Sequence, residues 1–441
     1  MIQIDGTPWL TPPEQEAVVE RLIHYDCDLI KWSNERDLPL KAGGKTDIYI
    51  NLRNGRDHHE ANRFLGRTYA NPLRRLGVSR FAEIPEAVSG IAPFVAEEMR
   101  TGYITVREQA KTGRVSDANI TGRRPCSGEP FALMDDVITT GLSKEIPYWA
   151  LVKLLQYAPP IVVLVDREQG WRKKFAEKGI RSDVWAAMTL HDVRRILIGK
   201  GYMELCDPAV EARNPVIIGL DGKPWNDLLP IIDQMRRTGC TGKVNDLVFN
   251  EGIRRLLPQL RAYFRRLMID LKLHDVPSTV ASACKHLREH RPWAVTVHAS
   301  GHREMIKAAV SALDGTPTIV LGVTVLTSLD KDGCTEVYHE LPLKQVLNLA
   351  KIAVESGAKG LVCSGKEVRR LRKLYPDIEL IVPGVRSPNA AAGVQKRVVT
   401  PAEAMKWGAS KVVMASQLFG AEIGPVAELG RVLKDELGIA A

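Results

Sequence analysis

Met268-Ile269-Asp270-Leu271-Lys272-Leu273-His274-Asp275-Val276-Pro277 places two carboxylates and an ammonium inside an otherwise apolar run. The segment alternates apolar and polar residues, so as a strand it turns Asp270 and Lys272, two apart, to the same face. Asp275 follows at the strand end. A bare D-x-K-x-x-D spacing arises by chance in about one chain in ten of this length. The setting is rarer: a surface ion pair needs no Met, Ile and Leu on both sides, and buried charges are costly unless paired or used. The stretch therefore reads as a strand delivering charge to a functional site.

Around it, short apolar runs alternate with helical segments at Val216–Leu220, Gly242–Leu247, Leu267–Lys272, Ala294–Val297, Thr318–Val325, Gly360–Cys363, Glu379–Val382 and Lys411–Met414. Eight strand–helix units in a stretch of about 225 residues predict a TIM (β/α)8 barrel, whose chemistry sits at the C-terminal strand ends. Polar residues fall where that architecture expects them. Asp221 ends the first strand, Lys243 lies on the second, Lys272 and Asp275 are at the third and His298 closes the fourth. A histidine in that position is more often a hydrogen-bonded structural group than a catalyst, and His298 is given no acid–base role.

Asp-Leu-Lys-Leu-His-Asp-Val-Pro-Ser-Thr resembles the active-site strand of orotidine 5'-phosphate decarboxylases. Further matches follow in order: Val297-His298-Ala299-Ser300-Gly301, Val323-Thr324-Val325-Leu326-Thr327-Ser328, Val382-Pro383-Gly384-Val385-Arg386, and Gln395-Lys396-Arg397-Val398. The resemblance covers roughly residues 213 to 441. It implies decarboxylation of orotidine 5'-monophosphate (OMP) to uridine 5'-monophosphate (UMP) without a cofactor, with Lys272 as cation and proton donor and Asp270 crowding the substrate carboxylate. It further implies that Lys243 and Asp221 bind ribose hydroxyls, that Thr327 or Ser328 meets the pyrimidine, and that Pro383, Arg386 and Gln395 meet the phosphate. Asp275 would cross into a neighbouring subunit's site, so a homodimer with shared sites is implied. Where the family usually presents Gly-Arg to the phosphate, this chain has Ala415-Ser416.

The first half reads differently. Residues 12 to 31 carry apolar positions at helical spacing and predict an amphipathic helix. Leu40 to Arg53 is a Gly turn feeding an alternating strand. Phe131-Ala132-Leu133-Met134-Asp135-Asp136-Val137-Ile138-Thr139-Thr140-Gly141-Leu142-Ser143 is an apolar strand ending in two acids, then a turn into a helical segment. Free backbone N–H groups at such a turn favour a phosphate, and paired acids accept hydrogen bonds from a diol. Thr and Ser also cap helices routinely, which is the plainer reading. Pro160 to Val165 is a continuous apolar run suited to a parallel strand buried on both faces. The strand–helix alternation predicts an α/β domain over residues 16–200. Residues 201–213, aperiodic and proline-bearing, are expected to be a linker to the barrel at 214–441.

The Phe131–Ser143 segment resembles the 5-phosphoribosyl 1-pyrophosphate (PRPP) loop of type I phosphoribosyltransferases. Leu40–Arg53 and Val165-Asp166-Arg167-Glu168-Gln169-Gly170 resemble orotate phosphoribosyltransferases in particular. The resemblance implies that Asp135 and Asp136 hold the ribose hydroxyls, that Thr139, Thr140, Gly141, Leu142 and Ser143 hold the 5'-phosphate, and that Thr139 with Arg167 meets orotate. Lys41 would lie near the pyrophosphate or orotate, and Mg²⁺ would arrive with PRPP. Arg107 and Lys111 match a mobile catalytic loop covering the pyrophosphate. Glu108 stands where a Lys is typical, and no His precedes Gly113.

Composition bounds the partners. A net charge of +9 favours anionic ligands. No long Lys/Arg tract or aromatic-basic motif points to nucleic acid. Seven cysteines without a Cys-x-x-Cys pair suit a reducing cytoplasm and imply no metal site. The first residues lack a basic region followed by an apolar core, so no signal peptide is expected. Apolar runs reach about half the ~20 residues of a membrane span. Two resemblances in one chain imply the last two steps of UMP synthesis, as in bifunctional UMP synthases: orotate plus PRPP to OMP and pyrophosphate, then OMP to UMP. Two alternatives stay open: a decarboxylase with a degenerate first domain, and a non-enzymatic nucleotide-binding regulator.

Overall fold

A computed structural model describes residues 8–34, 38–39, 45–107, 119–388 and 399–439, and divides the chain into two compact units, Met1–Glu204 and Leu205–Ala441. In the first unit, β1 (Ile30–Trp32) pairs antiparallel with β4 (Ile48–Ile50), and β2 (Leu38–Pro39) pairs with β3 (Lys45–Thr46). The main sheet holds β5 (Arg80–Glu83), β6 (Tyr103–Val106), β7 (Ile120–Thr121), β8 (Phe131–Ile138), β9 (Ile161–Asp166) and β10 (Val184–Thr189), in the order β10-β9-β8-β5-β6-β7. All pairs are parallel except β6 with β7. Apolar cores cover both faces, which is why β9 is buried along its whole length. The strand order reverses between β5 and β8, and crevices at such switch points, beyond the carboxyl ends of the strands, are where open α/β sheets take ligands. The helix expected across residues 12–31 ends at His24, and β1 begins at Ile30. Its apolar spacing continued past the point where the chain turns into a strand.

In the second unit β11 (Val216–Gly219), β12 (Thr241–Val244), β13 (Leu267–Leu273), β14 (Ala294–His298), β15 (Ile319–Val323), β16 (Gly360–Val362), β17 (Glu379–Pro383) and β18 (Lys411–Met414) close into a parallel barrel. Ile217, Met268, Ala294, Leu321, Ile381 and Val413 fill its interior, while Ile269 and Leu271 face the surrounding helices. Met268, Asp270 and Lys272 therefore continue one inward-facing row, as strand alternation requires. The tract expected to be a linker contains a helix instead, Pro208–Arg213. Asp207 caps it by accepting the Ala209 N–H at 2.7 Å, and its buried Glu211 pairs with Arg265 and Arg266 at 3.0 and 2.8 Å. The Asp-Pro start was the available signal. No helix among the described residues is long and apolar enough to cross a membrane.

Candidate active sites

At the C-terminal rim of the barrel four side chains alternate in charge. Lys243 Nζ donates to Asp221 Oδ2 and lies 3.1 Å from Asp270 Oδ2, which in turn accepts from Lys272 Nζ at 2.8 Å. Each carboxylate is fixed from elsewhere as well. Asn245 N–H donates to Asp221 Oδ1 at 2.6 Å, and Thr296 on β14 donates its hydroxyl to Asp270 Oδ1 at 3.1 Å. Thr296 Oγ1 also accepts the Lys272 N–H at 2.8 Å, and Asn245 Nδ2 donates to the Asp270 carbonyl at 2.9 Å. Burial works to lower the Lys243 pKa, but the Asp270 and Asp221 carboxylates outweigh it and hold the ammonium above the ordinary lysine range. Charges of opposite sign in series offset part of the cost of burying each one.

Lys272 differs from its neighbours in exposure and backbone. Its side chain is 30% exposed and that of Asp221 29%, against 11% for Lys243 and 8% for Asp270, so the two ends of the row open to an incoming molecule. Its φ is +50°, and the β13–β14 register shifts between Ile269 and Leu273. A non-glycine residue there costs on the order of 1 kcal/mol, an expense that tertiary structure tolerates mainly at sites of use. Beside it the His274 and His298 rings lie 5.4 Å apart, and burial, then His274 and Lys272, pull His298 below the usual imidazole range. Asp275 is exposed and accepts the Val276 N–H at 2.6 Å; among the described residues nothing joins it to the charged row.

Of the other predicted barrel residues, half-buried Thr327 and exposed Ser328 lie in the loop after β15, and Pro383 ends β17. Gly384, at φ +73°, turns the chain so that Arg386 reaches Ser416 Oγ with Nη2 at 2.9 Å and the Val385 carbonyl with Nη1 at 2.8 Å. The loops after β17 and β18 thus converge, as phosphate-binding barrels require. Gln395 lies outside the described residues. Sequence reasoning missed Asn245 and Thr296, because each takes its role from a neighbouring strand.

In the first unit, at the reversal of strand order, Glu83 ends β5 and Asp135 and Asp136 lie on neighbouring β8. The two acids are not equivalent. Asp135 is 3% exposed, and its Oδ2 accepts from Lys144, whose Nζ also donates to the Val137 carbonyl at 2.8 Å and to Ser143 Oγ at 3.1 Å. Half-buried Asp136 is pushed up to about 7 by burial and by the Asp135 carboxylate. Glu83 accepts the Thr105 hydroxyl at 2.7 Å, and burial raises its carboxyl. Thr139, Thr140, Gly141, Leu142 and Ser143 form the turn into the helix Leu142–Leu155. Gly141, at φ +78°, packs so closely on Phe175 that a Cβ would collide with its ring. Arg167 is buried and donates to Thr46 Oγ1 at 3.0 Å and to the Ile48 carbonyl at 3.3 Å, while Arg107 bonds Thr121 Oγ1 at 2.8 Å. Lys41, Glu108 and Lys111 lie outside the described residues. Glu83 and Lys144 escaped the sequence reading: an isolated acid or lysine carries no motif.

Compared with known proteins, residues 214–432 match the family model of orotidine 5'-phosphate decarboxylase / HUMPS. An orotidine 5'-phosphate decarboxylase of Neisseria meningitidis is 39% identical over 227 residues, which are 50% of this chain and 92% of that protein. One of Sphingopyxis alaskensis is 48% identical over 149 residues, 34% of this chain and 66% of that one. A crystal structure of orotidine 5'-phosphate decarboxylase from Lactobacillus acidophilus is 33% identical and covers 50% of this chain and 98% of its own, with a TM-score of 0.44.

Proposed function

The chain belongs to the orotidine 5'-phosphate decarboxylase / HUMPS family, and on that premise we propose that its second unit converts OMP to UMP and carbon dioxide. The observation that carries this reading is the Asp221–Lys243–Asp270–Lys272 row at the barrel rim, with the Lys272 ammonium at one of its two accessible ends. Loss of carbon dioxide leaves an electron pair on C6 of the pyrimidine. A cation that can also give a proton stabilises that charge and quenches it, which is the role of Lys272. Asp270, held by Lys272, Lys243 and Thr296, would crowd the departing carboxylate of the substrate while holding the Lys272 side chain in place. Lys243 and Asp221 would take the ribose hydroxyls, Thr327 or Ser328 the pyrimidine, and Pro383, Arg386 and Gln395 the phosphate. Asp275, exposed and outside its own chain's row, suits a site shared with a second copy.

For the first unit the reading is transfer of a phosphoribosyl group from PRPP to orotate. Its support is the strand–turn–helix at a switch point, with a half-exposed acid beside a turn built for phosphate. Because Lys144 holds Asp135, the ribose contact falls to Asp136. The Lys144 ammonium beside Asp135 opposes a resident divalent ion there. Mg²⁺ would therefore enter on the diphosphate of PRPP, where Lys111 and the turn would help to neutralise the leaving group. The same Lys144–Asp135 pair favours a second reading, a decarboxylase whose first unit has lost turnover.

One experiment separates these. Orotate, PRPP and Mg²⁺ are given to the wild type and to Lys272→Ala, and OMP and UMP are followed separately. The full reading expects UMP from the wild type and OMP accumulating in the variant, whose decarboxylation falls by at least about 10³-fold. No nucleotide from orotate, with UMP formed from added OMP, selects the second reading. No UMP from OMP under any condition would sink the decarboxylase assignment.

A further inference from the structure

The loop that carries Arg386 is tied down by side chains from the end of the chain. Buried Ser387, next to Arg386, is read twice by Gln417: its N–H donates to Gln417 Oε1 at 3.0 Å, and its Oγ accepts from Gln417 Nε2 at 2.5 Å. The same hydroxyl donates to Glu436 Oε1 and accepts from Arg431 Nη2 at 3.0 Å. Gln417 Nε2 donates onward to Glu428 Oε1 at 2.7 Å, and Arg431 bridges Glu428 and Glu436 at 2.8 and 2.9 Å. Gln417 stands on the helix Ser416–Phe419, Arg431 ends the helix Pro425–Arg431, and Glu436 ends the π-helical turn Val432–Glu436. With one donation and two acceptances, the Ser387 hydroxyl is fully used. On the other side, the Arg386 N–H bonds the Val399 carbonyl at 3.1 Å.

Such a brace has a reason in this chain. Ala415-Ser416 supplies no guanidinium beside Arg386, and Ser416 instead accepts from Arg386 itself. One fork must then do what two cations would share, and its placement decides how much of the anion's charge it meets. We propose that Gln417, Arg431 and Glu436 are positioning residues that set the loop after β17, and through it Arg386, against the phosphate of the nucleotide. This rests on the decarboxylase reading, in which Arg386 faces that phosphate. The residues touch no substrate; they act on Ser387, and Ser387 fixes its neighbour.

The test compares substrates with and without a phosphate. Gln417→Leu and, separately, Arg431→Met are expected to lower kcat/KM for OMP about tenfold, chiefly through KM, and to leave kcat/KM for orotidine within about twofold. Arg431→Lys, which keeps a charge but not the fork, should fall between. Calorimetric titration with UMP and with uridine gives the same comparison without turnover: UMP binding weakens about tenfold in Gln417→Leu and uridine binding is unchanged. Equal losses for OMP and orotidine, or for UMP and uridine, mean general damage to the barrel and overturn the proposal, as does unchanged OMP kinetics. A wild type that does not decarboxylate OMP defeats the decarboxylase reading, while a loss confined to UMP still supports the brace.

Discussion

At the scale of single residues, the two adjacent acids of the first unit show how environment divides equal chemistry. Asp135 shares its charge with Lys144; Asp136 has burial against it and a carboxylate beside it. In the unfolded chain Asp136 ionises near 3.8, and in the folded protein near 7. Between those values the folded state keeps a proton that the unfolded state has lost, so stability falls as pH rises through the window, and the penalty is complete above about 7. Asp136→Asn removes the titration. Its melting temperature relative to wild type should therefore climb from about pH 4 to about pH 7 and level off above that. A difference that stays flat over that range would mean that Asp136 is already ionised in the fold. Lys272 shows strain of another kind, a left-handed backbone position at φ +50° whose side chain is held by Asp270 at 2.8 Å.

At the scale of elements, some of this was open to inspection in the chain and some was not. Most barrel strands coincide with short apolar runs, because a parallel strand buried on both faces has little else to be made of, whereas β12, Thr-Gly-Lys-Val, only overlaps the weakest of the expected runs. Strand alternation likewise put Asp270 and Lys272 on one face without any tertiary information. Thr296, Asn245 and the Gln417–Arg431–Glu436 brace were hidden because each depends on inter-strand register or on contacts between distant segments. The helix Pro208–Arg213 was hidden for another reason: prolines and mixed charge suggest a linker unless the preceding Asp is read as a cap. Long-range ties of this kind also hold the first unit. Arg194, on the helix Leu190–Gly199, donates to both oxygens of Asp47 between β3 and β4, at 3.2 and 2.9 Å, with both side chains 1% exposed. Arg194→Met takes the guanidinium from a buried carboxylate and should cost about 3–5 kcal/mol, whereas Arg194→Met with Asp47→Leu should recover much of it. Denaturant unfolding of the two variants measures both. A double variant no more stable than the single one would mean that the helix and the β3–β4 segment are joined chiefly by other contacts.

At the scale of the whole molecule the question is whether one chain holds a complete decarboxylase site. Asp275 stands exposed after β13 and spends Oδ1 on the next backbone N–H, while Val276 beside it is 58% exposed. Phe249, on the helix after β12, is 78% exposed, and Leu326, in the loop after β15, is 37% exposed. Apolar side chains left open on the rim suit cover by a second copy, and a two-fold pairing would carry Asp275 of each chain to the row of the other. The prediction can be made without knowing the interface. Lys272→Ala chains keep Asp275, and Asp275→Asn chains keep Lys272, so each homodimer is inactive. If the sites are shared, a mixed dimer contains one site with both defects and one with neither. Random pairing of equal amounts makes half the dimers mixed, so activity should return to roughly a quarter of wild type after unfolding and refolding together. Dilution should then lower specific activity once dimers separate. If the mixture shows no more activity than its two components alone, Asp275 serves its own chain and the shared site is wrong.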